Sequence, residues 1–153
     1  MVTRGDAQQV VLPFRHPPMI KVKTRRKGVG CMSDKLKMAR QFIQALPHSM
    51  ALGMELQELG DGSAEITMPY DDKLVGDPKT GVISGGAVSA LMDTCCGAAV
   101  MSHPSNPSAT ATMDLRIEYL RAATPGQTIT TRATCYHVTR SVAFVRATAT
   151  DED

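Results

Sequence analysis

One long apolar segment constrains the fold of this chain more than any other feature. Seventeen residues, from Gly85 to Met101, carry a single charged side chain, that of Asp93. The segment is shorter than the roughly 20 residues that a membrane-spanning helix needs, and a carboxylate at the centre of a bilayer is unfavourable. A helix that is apolar on all sides belongs in a protein interior. The sequence therefore predicts a buried central helix and no membrane span.

Alternating polar and apolar residues predict β-strands on both sides of this segment. Residues 54–59 and 63–69 flank the turn Gly60-Asp61-Gly62, a pattern typical of a hairpin. An amphipathic helix over residues 33–46 precedes them. Three further strands follow one another as a meander, at residues 111–119, 127–138 and 142–150. We expect an α+β fold in which a curved antiparallel sheet wraps around the central helix.

The first 31 residues differ in composition from the rest. They hold seven Lys or Arg against one Asp, with five of the basic residues clustered at 21–27, and they lack a sustained apolar period. They predict a basic tail that is disordered or an overlong gene start, followed by one domain at 32–153. A nucleic-acid arm, an anionic-membrane arm and an organelle address are the alternatives for the tail. The remainder has ten basic and fourteen acidic residues, so the domain itself is acidic.

Composition argues against several other classes of protein. With three Tyr, three Phe and no Trp, the chain offers few rings on which nucleic-acid bases could stack. Its four cysteines include the adjacent pair Cys95 and Cys96, which suits neither a disulfide scaffold nor the ligand spacing of a zinc site. We therefore predict small, reduced core thiols in a cytoplasmic protein that needs no metal and no cofactor and binds no nucleic acid.

Asp93 is the residue that hydrophobic patterning does not explain. Burial of an unpaired carboxylate costs several kcal/mol, so the group normally finds donors or raises its pKa. Its neighbours at helical spacing are mostly small, Gly86, Ser89, Ala90 and Gly97 among them, which would leave a hollow beside the carboxylate. A desolvated acid beside a hollow indicates a functional site. The alternative is a structural pair with a strand arginine or with backbone N–H groups in the core.

Gly85 and Gly86 at the start of the helix form a second candidate element. Bare backbone and the positive end of the helix dipole favour negative charge developing on an oxygen atom, although a glycine pair also punctuates ordinary loop–helix junctions. Gly86 and Asp93 are about 10.5 Å apart along a helix, too far to act on one carbonyl group. Two such helices, antiparallel across a twofold axis, would bring the start of one to the middle of the other. We therefore predict a homodimer with two shared sites.

Four blocks of the sequence resemble the hotdog-fold acyl-CoA thioesterases of the phenylacetate-degradation (PaaI-like) type. The first runs from Leu74 to Gly86 and the second from Ala90 to Gly97. The later two comprise Thr112-Met113-Asp114-Leu115 with Tyr119-Leu120-Arg121, and Thr139-Arg140-Ser141-Val142-Ala143. The resemblance covers about residues 34–150 and keeps the blocks in family order and spacing. It implies a hotdog fold, dimers or tetramers of dimers, and hydrolysis of an acyl-CoA thioester.

The resemblance also implies roles for individual residues. Asp93 matches the catalytic acid, as general base or direct nucleophile, the Gly86 N–H matches the oxyanion donor, and Thr112 matches a hydroxyl that helps to place water. Asp77 lies near the position where the family usually has an Asn or similar polar residue that contacts the thioester, and Ser84 and Gly85 belong to the same substrate-binding loop. Arg140 and Ser141 match a turn that meets the nucleotide phosphates, with Arg121 as a further phosphate candidate.

Two departures from the family pattern leave an alternative open. The family usually has His where this chain has Ser84, and it continues with another strand where this sequence has Asp151-Glu152-Asp153, so we expect the final strand of the sheet to be missing. The first hypothesis is a thioesterase for medium-chain or aromatic acyl-CoA. The second is a non-catalytic acyl-CoA-binding or regulatory hotdog module. A dehydratase is disfavoured because no His lies near Ser84 to serve as a second proton-transfer group.

Overall fold

The computed structural model describes residues 5–13, 31–105 and 110–153. The bounds of its elements, in chain order, are β1 (Gly5–Pro13), α1 (Cys31–Ala45), α2 (Pro47–Ala51), β2 (Glu55–Gly60), β3 (Ser63–Met68), a 3-10 turn (Asp72–Leu74), β4 (Val75–Asp77), β5 (Val82–Ile83), α3 (Gly85–Ser102), β6 (Thr110–Ile117), β7 (Ile129–Val138) and β8 (Ala143–Thr150). Among these helices, none has both the length and the apolar character to cross a membrane.

Six strands form one antiparallel sheet in the order β2-β3-β7-β8-β1-β6, and β4 and β5 form a separate small hairpin. The central helix α3 packs against one face of the large sheet. Alternate residues of β7 point into this interface, so Ile129, Ala133 and Cys135 are buried while Arg132 and Thr134 are exposed. This is the predicted α+β hotdog arrangement of a long helix packed on an antiparallel sheet.

The predicted hairpin is confirmed, but the predicted meander is only half right: β7 pairs with β8, whereas among the described strands β6 pairs with β1 at the edge of the sheet and not with β7. Strands β2 and β3 pair through Gly60 and Ser63, and β7 pairs with β8 through Val138 and Ala143. The sequence predicts these strands because one face of each is buried and the other is not, so apolar residues recur at every second position. The central helix runs from Gly85 to Ser102, one residue longer than the predicted segment.

The structure differs from the predicted tail at residues 5–13, which form β1. The backbone of β1 pairs antiparallel with β8 on one side, Gly5 to Val11 facing Ala149 to Ala143, and with β6 on the other. It lies between β8 and β6, whose facing edges would otherwise have unpaired backbone N–H and C=O groups. Residues 1–4 and 14–30 of the predicted tail lie outside the described residues.

The pairing of β1 with β8 predicts where a disulfide can be introduced by substitution. Gln8 is paired with Arg146 of β8, and directly paired strand residues have Cα atoms about 4.5–5.5 Å apart, within disulfide range. The Gln8→Cys, Arg146→Cys chain should therefore oxidise to an intrachain disulfide, detected as a linked peptide by mass spectrometry.

The Gln8→Cys, Thr148→Cys chain is the matched control, because Thr148 pairs with Asp6 and so lies two residues out of register with Gln8. Equal cross-linking of the two double variants, or cross-linking of neither, would contradict this register.

Candidate active site

The first turn of α3 presents bare backbone. Gly85 and Gly86 are both exposed. The Ser84 carbonyl accepts the N–H groups of Ala87 and Val88 at 3.0 and 3.4 Å, and within the described chain the Ser84 side chain makes no capping hydrogen bond. At the second helical position the Gly86 N–H has no intrahelical acceptor, and the helix dipole adds positive potential there. The predicted oxyanion donor is thus accessible in the single chain.

Asp93 lies about two turns further along α3 and is hydrogen-bonded to Thr112 of β6. The Thr112 hydroxyl donates to Asp93 Oδ1 over 2.7 Å. Because seven residues make almost two full turns, Gly86 and Asp93 share one face of the helix, about 10.5 Å apart along its axis. The structure therefore brings Asp93 and Thr112 together and leaves Gly86 beyond their reach within one chain.

The Asp93 carboxylate is half-buried in the single chain, not enclosed as the sequence analysis expected. The sheet covers only one side of α3, where the fully buried Leu91, Cys95 and Cys96 lie. The opposite face stays open: a methyl group at Gly97 would have no atom within 4 Å, counting described residues, and Met101 is 42% exposed. Apolar character on all sides of the helix therefore indicates a second covering surface, which the sheet does not supply.

A cavity of about 400 Å³ opens beside the start of α3. Its apolar walls come from β5, α3, β6 and β7, and include Val82, Val88, Met92, Ile117 and Ile129. Gly85 and Tyr119 line it as well, and Arg121 and Asp151 add charged groups. The volume lies within the about 300–1,000 Å³ typical of small-molecule sites. Its lining includes Gly85 and Met92, which directly precede Gly86 and Asp93 in α3.

Arg121 forms an ion pair at the border of this cavity. Its guanidinium donates to both carboxylate oxygens of Asp151, one of them at 2.6 Å, and the Thr124 N–H donates to the same carboxylate at 2.9 Å. The Asp151 side chain is only 3% exposed. Burial alone would raise the pKa of Asp151, but the hydrogen bonds from Arg121 and Thr124 and the charge of Arg121 hold that pKa below its usual value. The predicted phosphate-binding role of Arg121 would compete with this pair.

The lowered pKa of Asp151 predicts a pH-dependent contribution to stability. A carboxyl group whose pKa is lower in the folded state stabilises the fold above its unfolded pKa, about 3.9, and loses that contribution as the pH falls through its folded pKa. Asp151→Asn should therefore cost about 2 kcal/mol of unfolding free energy at pH 7. The difference from wild type in urea unfolding should shrink below about pH 4, and a difference that stays constant with pH would contradict the ion pair.

Asp77 and Ser84 have mainly local roles in the structure. The Asp77 carboxylate accepts the Thr80 hydroxyl at 2.7 Å and the Lys79 N–H at 3.1 Å. These two hydrogen bonds hold the pKa of Asp77 below its ordinary value. Ser84 precedes α3 and its N–H donates to the Leu74 carbonyl at 2.8 Å. The predicted thioester contact of Asp77 would have to replace interactions within its own turn.

Arg140 and Ser141 lie far from Gly86 within one chain. Both are exposed in the turn after β7, which the Val138–Ala143 pair closes. This end of the sheet adjoins the end of α3, since Gly62 donates to Ser102 Oγ and accepts from the N–H of Cys135. The start of α3 instead adjoins the beginning of β7. The structure therefore does not bring the predicted phosphate-binding turn to the helix start of the same chain.

The cysteines of α3 are core residues, as predicted. Cys95 and Cys96 are fully buried and, like Cys135, are free thiols. Burial raises the pKa of Cys95 to about 12 and raises that of Cys96 as well. Neither group is therefore a thiolate nucleophile at neutral pH.

Sequence reasoning missed two groups beside the helix start. The Tyr119 hydroxyl donates to the Gly85 carbonyl at 2.8 Å and lies 2.6 Å from Ser89 Oγ. The Tyr119 side chain belongs to a recognised block, but its partner is a backbone carbonyl 34 residues away in the sequence. No residue pattern marks such an acceptor, so nothing in the sequence pointed to this contact.

Comparison with known proteins shows what this chain is similar to. The family model described as "Thioesterase superfamily" matches residues 80–153. A putative esterase of Halobacterium salinarum is 39% identical over 75 residues, which are 47% of this chain and 50% of that protein. The chain thus spans half the length of this relative.

Longer but weaker similarity extends over most of the domain. The medium/long-chain acyl-CoA thioesterase YigI of Escherichia coli is 24% identical over 76% of this chain and 83% of its own length. The solved structure of the E. coli PaaI protein has a TM-score of 0.57 at 20% identity, covering 80% of this chain and 99% of that one. Together with the architecture above, these matches show that the chain has the hotdog fold and that residues 80–153 are similar to the Thioesterase superfamily.

Proposed function

We propose that this protein hydrolyses an acyl-CoA thioester with Asp93 as the catalytic acid and the Gly86 N–H as the oxyanion donor. The observation that carries the proposal is the hydrogen bond from Thr112 to Asp93, on the same open face of α3 as the bare Gly86 backbone. A carboxylate held in one orientation beside an accessible helix start offers both a proton acceptor and a donor for developing negative charge.

The proposed reaction follows from these two groups. Asp93 accepts a proton from water, the resulting hydroxide attacks the carbonyl carbon, and the oxyanion is stabilised by the Gly86 N–H. One preorganised donor of this kind lowers a barrier by about 2.7–4 kcal/mol. The C–S bond then breaks, and the coenzyme A thiolate takes up the proton, giving a carboxylic acid and the free thiol. In the alternative mechanism, Asp93 is the nucleophile and attacks the carbonyl carbon directly.

A homodimer with shared sites is part of the proposal. Gly86 and Asp93 of one chain are too far apart to meet one carbonyl group, so each site needs the helix start of a second copy. Two further observations support a second copy. Among the described strands β6 pairs only with β1, which leaves one edge of β6 open, and Met113 on β6 is 55% exposed. Two such dimers would form a homotetramer, and the resemblance also implies tetramers of dimers.

The remaining predicted binding residues suit this shared arrangement. An antiparallel second copy would bring the end of its α3, and with it the Arg140 and Ser141 turn, toward the helix start of the first chain. We therefore propose that Arg140 and Ser141 bind the nucleotide phosphates of the partner's substrate. The apolar cavity beside Gly85 supports the proposal that the substrate carries a medium-chain or aromatic acyl group. The relative from E. coli is named a medium/long-chain acyl-CoA thioesterase.

A non-catalytic acyl-CoA-binding module remains the second candidate, and Ser84 is the observation that favours it. A serine replaces the family's usual histidine directly before the glycine pair, so one orienting group of the site is altered.

A panel of acyl-CoA substrates separates the two candidates. The full chain is incubated with medium-chain, long-chain and aromatic acyl-CoA thioesters, and the released thiol is measured. The proposal predicts saturable thiol release, highest for medium-chain or aromatic substrates. Saturable binding of the same thioesters without thiol release would instead establish the binding module.

A further inference from the structure

Two hydroxyl groups converge on the carbonyl oxygen of Gly85. The Tyr119 hydroxyl donates to it at 2.8 Å, and the Ser89 Oγ lies 3.1 Å from it. The two hydroxyl oxygens are 2.6 Å apart, so the single Ser89 proton is shared between the Gly85 carbonyl and the Tyr119 oxygen. Ser89 lies one turn further along α3, whereas Tyr119 comes from the segment after β6, so this cluster ties the helix start to another part of the chain.

The carbonyl that receives these hydrogen bonds belongs to the peptide unit that carries the Gly86 N–H. A peptide unit is planar, so fixing the direction of the Gly85 C=O fixes the direction of the Gly86 N–H. Two successive glycines have more conformational freedom than any other pair, and the Ser84 side chain does not cap this turn. The Gly85 carbonyl is also an acceptor in the first turn of α3, so the hydroxyl groups add a further restraint to a peptide whose own residues have no side chains.

The same hydrogen bonds change the strength of the donor as well as its direction. A peptide whose oxygen accepts hydrogen bonds is polarised, and its N–H becomes a stronger donor, by about 10–30% per bond. Oxyanion stabilisation depends on donors that are already oriented before the reaction. Both effects act on the transition state more than on the bound substrate.

We propose that Tyr119, assisted by Ser89, is a positioning residue that orients and polarises the Gly85–Gly86 peptide as the oxyanion donor. This inference rests on the proposed function of Gly86. The competing explanation is packing: the Tyr119 ring would lie 3.5 Å from a methyl group at Gly85 and lines the cavity, so it could act through its ring alone. The two explanations differ in whether the hydroxyl group matters.

Tyr119→Phe tests the proposal because it removes the hydroxyl and keeps the ring. The variant should lower kcat about tenfold, a fraction of the about 10²–10³-fold that loss of an oxyanion donor costs, while KM changes by less than about twofold. Tyr119→Phe combined with Ser89→Ala should lower kcat further. Tyr136→Phe is the matched control: Tyr136 is also half-exposed, at 51%, lies on β7, and should leave kcat unchanged.

A vibrational measurement separates this inference from the proposed function. The carbonyl stretch of a ¹³C-labelled acyl-CoA bound to the Asp93→Asn chain reports hydrogen bonding to the thioester oxygen without turnover. Tyr119→Phe in that background should move the stretch back toward its frequency in solution. An unchanged kcat and frequency, or a loss of activity that merely follows a lower melting temperature, would overturn the proposal even if wild type hydrolyses the substrate. A wild-type chain that binds without hydrolysis would refute the proposed function, and the frequency shift would still decide the role of Tyr119.

Discussion

Asp93→Asn should lower kcat for acyl-CoA hydrolysis by about 10²–10⁴-fold, the usual contribution of a general base. The amide cannot accept the proton of water, but its oxygen can still accept the hydrogen bond from Thr112, so the local geometry should persist. We therefore expect KM and the melting temperature to stay close to those of wild type. Thiol release and calorimetric binding of acyl-CoA, measured on the same preparation, check the two parts of this expectation.

Asp114→Asn is the matched control for this substitution. Asp114 lies on β6 two residues beyond Thr112, and its carboxylate forms an exposed ion pair with Arg116. Such pairs contribute about 0–1 kcal/mol, so the control should keep its activity and stability. An Asp93→Asn chain that hydrolyses acyl-CoA as fast as the Asp114→Asn chain would refute Asp93 as the catalytic acid.

Gly86→Ala should separate stability from activity. In the single chain a methyl group at Gly86 would meet only the Ser84 Oγ, at 3.6 Å, an ordinary van der Waals separation. Alanine also stabilises a helix by about 0.5–1 kcal/mol relative to glycine. The melting temperature should therefore hold or rise. The methyl group would nevertheless displace a thioester from the bare backbone, so kcat/KM should fall by about 10²-fold.

Thermal unfolding and steady-state kinetics of the Gly86→Ala chain test this separation together. A normal kcat/KM would mean that no substrate approaches this backbone. A fall in activity with an equal fall in melting temperature would mean that the glycine serves folding, which the space around it does not predict.

The sequence predicted the parts of the fold that local periodicity encodes. Strands β3, β7 and β8 bury every second residue, and α3 is apolar along its whole length, so each was recognisable without its neighbours. Strand β1 was not, because its pairing partners on β6 and β8 lie 97 or more residues away in the sequence. Its short apolar run at Val10-Val11-Leu12, which ends at Pro13, was the one local signal of a strand.

The candidate site was predictable to the extent that side chains carry it. The resemblance implied roles for Asp93 and Thr112, and the structure joins them by a hydrogen bond. The openness of the Asp93 face was not predictable, since an apolar helix has the same sequence whether a sheet or a second protein surface covers it. The role of the Gly85 carbonyl as an acceptor for Tyr119 was also hidden, because backbone groups have no sequence signature.

The shared site is tested most directly by a heterodimer of one Asp93→Asn chain and one Gly86→Ala chain, co-expressed with different affinity tags and purified through both. If Asp93 of one copy works with Gly86 of the other, one site of this heterodimer carries both substitutions and the other carries neither. The account predicts about half of the wild-type turnover per dimer, far above either parent. Turnover no higher than that of the parents would contradict it, because every site contained within one chain would then carry one substitution.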